Sequence, residues 1–376
     1  MFKKVHFKRV YMLLFLRFYF LIILITTHNL LLPQYTHLQE AFSITMDNTN
    51  ANTKNLSSFI KKKPLPTIEH VTLQVPEAAD KKHYIERKGI LTHYTTAQAT
   101  VILCHGFMCD KYDTGILRQL FPKGVYNVFI FDFRAHGEAS QNQWCTFGKN
   151  ESQEVITAGI FVKNHPMLKN KPVFAYGFSM GAVAAIEAQA QYPNLFNAMI
   201  LDCPFSSSEN IIKKGLENAK IRFLGYEFGV PGRQLLQKYA FNPYIQSLVK
   251  YTLKCISNFD SKNINTIIYP LYPVETIKKV TVPCFFIHCR HDEKISTDEA
   301  KTVYQNAKGF KRLWITNGRR HYDSLFYNPE KYRLQVRDFL QKVLDGSYLQ
   351  QPTEYIWEDP VEESKQMLIA APENLA

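Results

Sequence analysis

Three residues far apart in the chain have the types needed for nucleophilic catalysis: Ser179, Asp292 and His321. Ser179 lies in "FAYGFSMGAVAA", a G-x-S-x-G pattern at which an apolar run becomes an alanine-rich one. In such a pattern a strand turns sharply into a helix and holds the serine strained, with its hydroxyl exposed. Gly177 and Gly181 remove side chains that would collide across that turn. A serine hydroxyl is a weak nucleophile unless a base takes its proton and a further group orients the base. Downstream, "PCFFIHCRHDEKIS" reads as a buried strand followed by a loop bearing Asp292, and "LWITNGRRHYDS" as a strand followed by a loop bearing His321. In a parallel sheet the loops that follow strands emerge at one carboxyl edge, where ligands bind. Nucleophile, base and orienting acid are expected to meet there, and this chemistry requires no cofactor.

The elements that must position them alternate along the chain. Short apolar or β-rich runs, from "IEHVTLQV" and "GILTHYT" through "ATVILCH", "YNVFIFD", "KPVFAYGF", "NAMILD", "PCFFIHC" and "FKRLWIT", are separated by helical patterns. Continuous apolar strands with helices between them predict an α/β fold, a mostly parallel central sheet with helices on both faces. The last helix is expected in "NPEKYRLQVRDFLQKVLDG", with Asn328 as N-cap, Pro329 at the first position and Gly346 as stop. Its Tyr332, Val336, Phe339, Leu340 and Val343 share one face toward the sheet. From Pro204 to about Val280 the alternation breaks into helical periodicity and aromatics, too long for a loop and read as an inserted helical cap over the strand ends.

The order Ser179, Asp292, His321 is the chain order of the α/β-hydrolase triad. Here the sequence resembles the α/β-hydrolase family, and in particular its serine aminopeptidase-like, lysophospholipase-like and cinnamoyl-esterase-like group. The H-G-F loop of "LCHGFMCDK" with its following lysine, the G-F-S-M-G elbow and the insertion before "PVETIKKVTVPCFFIH" carry the likeness, over roughly residues 98 to 345. A fourth match, "FDFRAHGEAS", is similar to a D-x-R-x-H-G-x-S turn, in which Asp132, Arg134 and His136 would brace the backbone. The resemblance implies that the backbone N–H groups of Phe107 and Met180 form the oxyanion hole. It also makes His105 a packing residue beside that loop. The chain departs from the pattern at Cys289, where many relatives have glycine.

Rival readings exist at several positions. Asp202, at the end of the strand after the nucleophile, could supply the acid in place of Asp292, and Glu293 is a weaker alternative. His288, His291 and Asp292 include metal-ligand types, but their spacing across a strand end shares no helical face and no third ligand lies nearby in sequence, so no metal is expected.

Charge and cysteine use bound the rest. The seven cysteines fit no C-x-x-C or metal-finger spacing, which argues against a disulfide framework. Residues 1 to 63 carry a net +7, residues 346 to 376 carry −5, and the body between carries +10. A basic body favours an anionic membrane surface or an acidic substrate. No stripe of basic and aromatic residues points to nucleic acid, and no nucleic-acid partner is expected. The opening places Lys3, Lys4, Lys8 and Arg9 before an apolar run interrupted by Arg17 and ended by Pro33. Residues 1–33 therefore read as a signal anchor or signal peptide, with an uncleaved anchor and an extracytoplasmic catalytic body as the expectation. A secreted or cytoplasmic protein is the alternative. Residues 34–66 read as a flexible tether, 67–345 as the hydrolase domain with its cap at about 204–280, and 346–376 as an acidic, irregular tail that Tyr355, Ile356 and Trp357 could dock.

The function expected is a serine hydrolase that cleaves a small, apolar acyl ester through an acyl-enzyme. Within the class, thioester or peptide cleavage is the alternative. Outside it, the alternative is a non-catalytic hydrolase-fold protein that binds a ligand or partner through its cap.

Overall fold

A computed structural model of the chain describes residues 65–77, 83–140, 142–218, 220–223, 226–229, 232–247, 264–350 and 353–358. The leader at 1–33, nearly all of the tether, part of the cap and the tail beyond 358 lie outside the described residues.

Strand β1 (Thr67–Pro76) alternates exposed and buried side chains, whereas β3 (Ala99–Cys104), β4 (Tyr126–Phe131), β5 (Val173–Phe178), β6 (Ala198–Asp202) and β9 (Cys284–Cys289) are buried at every position. The difference follows from their places in the sheet, since a central strand covered on both faces has no wet side. With β2 (Tyr84–His93), β10 (Lys311–Thr316) and β11 (Glu354–Trp357) they form one sheet in the order β1-β2-β4-β3-β5-β6-β9-β10-β11. Pairing is antiparallel between β1 and β2 and between β2 and β4, and parallel from β4 to β11. The eight apolar runs read from the sequence are the first eight strands of this sheet in chain order, which is the α/β-hydrolase arrangement.

Helices α1 (Glu151–Asn164) and α2 (Met180–Gln191) cover one face. In α2 alanine keeps the helix close to the sheet, with Ala182, Ala184, Ala185 and Ala188 all fully buried. In the cap interval lie α3 (Ser208–Asn218), the antiparallel hairpin β7 (Lys220–Phe223) and β8 (Tyr226–Gly229), α4 (Arg233–Lys238) and the single turn α5 (Pro273–Thr276). The hairpin interrupts what the sequence reads as helix. Ile221, Phe223, Tyr226 and Phe228 are β-branched or aromatic types, which suit a pleated pair better than a helix turn. The cap interval is pinned back to the core where Cys145 N donates to Asn265 O (2.7 Å) and Ile267 N to Cys145 O (2.9 Å).

After α6 (Thr297–Asn306) and the short α7 (Ser324–Tyr327), α8 (Pro329–Leu344) closes the second face. Asn328 caps it by accepting from Lys331 N at 3.0 Å. Tyr332, Val336, Phe339 and Leu340 are fully buried there and Val343 partly so. Part of the following segment docks through the three residues singled out in the tail. Residues 354–357 pair in parallel with β10, from Arg312↔Glu354 to Ile315↔Trp357. Tyr355, Ile356 and Trp357 favour extended backbone, and Arg312, itself buried, pairs Asp338 (2.8 Å) and Glu354 (2.6 Å) at the start of that strand. Six cysteines are described and no disulfide joins any two of them. Among the described residues no helix is long and apolar enough to cross a membrane.

Candidate active site

Ser179 links β5 to α2 with φ 52° and ψ −120°, a conformation that L-residues avoid and that the surroundings must enforce. Its N–H donates to Asp202 O at the end of the neighbouring β6 (2.8 Å). A side chain at Gly181 would place Cβ 2.1 Å from Cys104 O, so only glycine lets the start of α2 rest on the end of β3. Positive φ recurs at the same carboxyl edge in Met108 (67°), Cys203 (50°) and Tyr322 (61°). Strain is thus gathered where the strand ends turn toward the serine.

Asp292 follows β9 and is buried, while His321 follows β10 and is partly exposed. His321 Nδ1 lies 2.7 Å from Asp292 Oδ2, where a ring N–H donates to a carboxylate and leaves Nε2 as the basic nitrogen. The other carboxylate oxygen, Oδ1, accepts from Lys294 N (2.8 Å) and Ile295 N (2.9 Å). Burial opposes ionisation of Asp292, but the hydrogen bond from His321 and the neighbouring imidazoles prevail and hold its carboxyl below the usual value. The loops of Ser179 and His321 touch: Phe178, before Ser179, stacks on Tyr322, after His321, at 3.9 Å and 16°.

The rival acid lies elsewhere. Asp202 Oδ2 accepts from Tyr332 OH (2.6 Å) and Tyr176 OH (3.5 Å), and Oδ1 from Cys203 Sγ (3.2 Å). Complete burial pushes its carboxyl up to about 6. Glu293 and His291 are exposed. His288 is fully buried, with Nε2 donating to Ile295 O (3.0 Å), and burial lowers its pKa, so it stands as a neutral packing group behind Asp292. Ligand atoms of Cys203, Asp292 and His321 come within 4.8 Å of one another, a grouping invisible in the sequence. The Asp–His hydrogen bond occupies two of the three, and the Cys203 thiol, pushed well up by burial, is engaged with Asp202. This donor set is arranged for proton transfer more than for holding an ion.

On the other side of Ser179, the H-G-F loop packs so closely that a Cβ on Gly106 would stand 2.5 Å from the Phe178 ring. His105 Nε2 accepts from Phe133 N (2.9 Å) and its Nδ1 meets Gly106 O (2.8 Å), which ties two strand ends together. Phe107 packs on Phe147 (4.7 Å) and His136 (5.7 Å), and Met108 N donates to His136 Nε2 (3.1 Å). Met180 is the first residue of α2, where helical N–H groups have no intrahelical acceptor. Asp132 accepts from Lys111 N and Lys111 Nζ (both 2.8 Å) and from Glu138 N (3.2 Å), anchoring the loop to the next turn. Arg134 forks onto Glu154 (2.8 and 3.1 Å), with Arg87 Nε 3.7 Å from the same carboxylate. Glu154 lies inside α1 and no local motif marks it; a buried arginine in the D-x-R turn, needing a partner, was the available signal.

The sequence pattern of the family described as "Serine aminopeptidase, S33" matches residues 95–324, more than half of the chain, and spans Phe107, Ser179, Asp292 and His321. The uncharacterized protein YqkD of Bacillus subtilis (strain 168) is 26% identical over 254 residues, covering 66% of this chain and 73% of that protein. A monoglyceride lipase homolog of Monkeypox virus is 30% identical over 131 residues, 34% of this chain and 46% of the viral protein, so the match spans less than half of that relative. Among solved structures, the Pyrococcus furiosus esterase Pf2001 superposes with a TM-score of 0.55 at 20% identity, over 74% of this chain and 93% of the esterase, a likeness of fold. On the family match, the chain belongs to the serine aminopeptidase S33 family of α/β hydrolases.

Proposed function

We propose that this hydrolase is a serine hydrolase that cleaves carboxylic esters through an acyl-enzyme. The observation that carries the reading is the 2.7 Å His321–Asp292 hydrogen bond on loops that touch the turn holding a strained Ser179. Ser179 Oγ attacks the acyl carbonyl and gives its proton to His321 Nε2. Asp292 keeps the ring in the tautomer with Nδ1–H and stabilises the imidazolium that forms. The N–H groups of Phe107 and Met180 receive the oxyanion, each worth about 3 to 4 kcal/mol to the transition state. Collapse breaks the C–O bond of the ester, and the leaving alcohol takes the proton from His321. Water then attacks the acyl-enzyme by the same route, releasing the acid and restoring Ser179.

An apolar acyl or aryl group is favoured by the aromatic cap interval and by the likeness to a monoglyceride lipase homolog. The test is fluorophosphonate labelling of the protein beside Ser179→Ala and His321→Ala, followed by p-nitrophenyl esters of increasing chain length, a thioester and an aminoacyl anilide. Labelling lost in both variants, with an optimum among the esters, is the expected result. A folded protein that never labels would end the reading, and faster turnover of the thioester or anilide would move the substrate class accordingly.

A further inference from the structure

The C-terminal strand ends on a carboxylate that no catalytic motif includes. Glu358 follows β11 directly and is 5% exposed. Its Oε2 accepts from Asn317 N (3.0 Å), the first residue after β10 and the start of the loop that carries His321. Its Oε1 accepts from Trp314 Nε1 (3.2 Å) and pairs with Lys331 Nζ (3.0 Å) on α8. The backbone of the same residue continues the ladder, with Glu358 N donating to Ile315 O (3.1 Å), and its carbonyl accepts from the Arg290 guanidinium. Arg290 lies two residues before Asp292, stacks over Trp357 (4.7 Å) and donates its N–H to Thr316 O (2.9 Å).

One residue from the far end of the chain therefore holds both loops of the acid–base pair. The remaining ends of the His321 loop are closed locally, by Thr316 Oγ1 and Ser324 Oγ at 2.8 Å and by Asp323 N donating to Cys289 Sγ at 3.1 Å. Burying a carboxylate is costly unless it is fully hydrogen-bonded. Glu358 meets that condition with three side-chain contacts, from Asn317 N, Trp314 Nε1 and Lys331 Nζ.

We propose that the Glu358 carboxylate is a positioning group for the acid–base pair, acting through the Asn317 N–H to hold the His321 loop in register with Asp292; this rests on the serine-hydrolase reading above. A displacement of about 1 Å in such a pair costs up to about a hundredfold in rate. Glu358→Ala is expected to lower kcat on the best ester by tenfold or more with KM changed less than twofold. Glu358→Gln, which keeps one acceptor oxygen, is expected to fall between that variant and the wild type.

Glu354→Gln is the control, because it loosens the other end of β11 at Arg312 and Lys342 without touching either loop. It is expected to lower the melting temperature and leave kcat within twofold. Amide hydrogen exchange gives a readout independent of turnover: Glu358→Ala should accelerate exchange in 317–323, the loop its carboxylate holds, and Glu354→Gln should not. Unchanged exchange in that segment, or an equal fall in kcat for the two variants at equal loss of stability, would overturn the proposal. A wild type that hydrolyses nothing removes the reaction reading, and the exchange result then decides the brace alone.

Discussion

The two sides of Ser179 are built by different physics. On the β3–β4 side, the loop of Phe107 is locked by buried charge: Lys111 on Asp132, and Arg134 and Arg87 on Glu154. On the β9–β10 side, the loops of Asp292 and His321 are held chiefly by main-chain N–H groups, hydroxyls, a thiol and the strap from Glu358. The difference follows from what each side must do. An oxyanion loop presents fixed N–H donors and never changes charge, so permanent ion pairs can stiffen it. In the proposed reaction His321 gains and loses a proton on every cycle, and the carboxylate it touches is that of Asp292. Buried pairs are intolerant of losing one partner, whereas a distributed set of neutral hydrogen bonds yields gradually.

Three substitutions would break or sharpen this contrast. Asp292→Asn keeps an acceptor for Lys294 N and Ile295 N but cannot hold the Nδ1–H tautomer of His321. Turnover is expected to fall about ten-thousandfold, with a melting temperature near that of the wild type; a fall under tenfold would remove Asp292 from the triad. Asp132→Ala strands Lys111, only 2% exposed, with Glu138 as its remaining partner. A loss of about 3 to 5 kcal/mol is expected in urea unfolding, together with slower fluorophosphonate labelling. Stability unchanged within 1 kcal/mol would refute the buried-charge account of that side.

The smallest effect concerns Asp202, which sits between the two sides. Its folded pKa, raised to about 6, stands above the ordinary carboxyl value of 3.8. A raised carboxyl is favourable to the fold when protonated, so its contribution is complete below the unfolded value and is lost as pH rises through about 6. Asp202→Asn retains an acceptor for Tyr332 and carries no charge. Relative to wild type the variant should gain stability between pH 4 and pH 8, by up to about 3 kcal/mol. Urea unfolding of both proteins at several pH values measures this, and a difference that stays flat with pH would show that Asp202 is not held as described.

Much of this was legible in the chain because burial leaves a period. Eight apolar runs became eight strands in order, and the elbow, the H-G-F loop and the D-x-R turn each fell at a strand end. The hairpin at 220–229 was misread because isolated amphipathic spacing cannot tell a short strand pair from helix turns. Tyr355, Ile356 and Trp357 were legible as docking residues but their place was not, because an edge strand of four residues is positioned by partners distant in sequence.

The residue types and their order determined that Ser179, Asp292 and His321 would reach one sheet edge, since loops after parallel strands have no other place to emerge. Which carboxylate meets His321 was decided only in three dimensions. Asp202 shares its face of the sheet with Ile200 and Tyr176, the face that α8 covers, and so its carboxylate is taken by Tyr332. Asp292 lies past the end of β9, free of the pleat, where its loop can turn it onto His321. Side-chain direction in a sheet follows the face, and which helix covers that face is a property of the assembled layers, not of either strand alone.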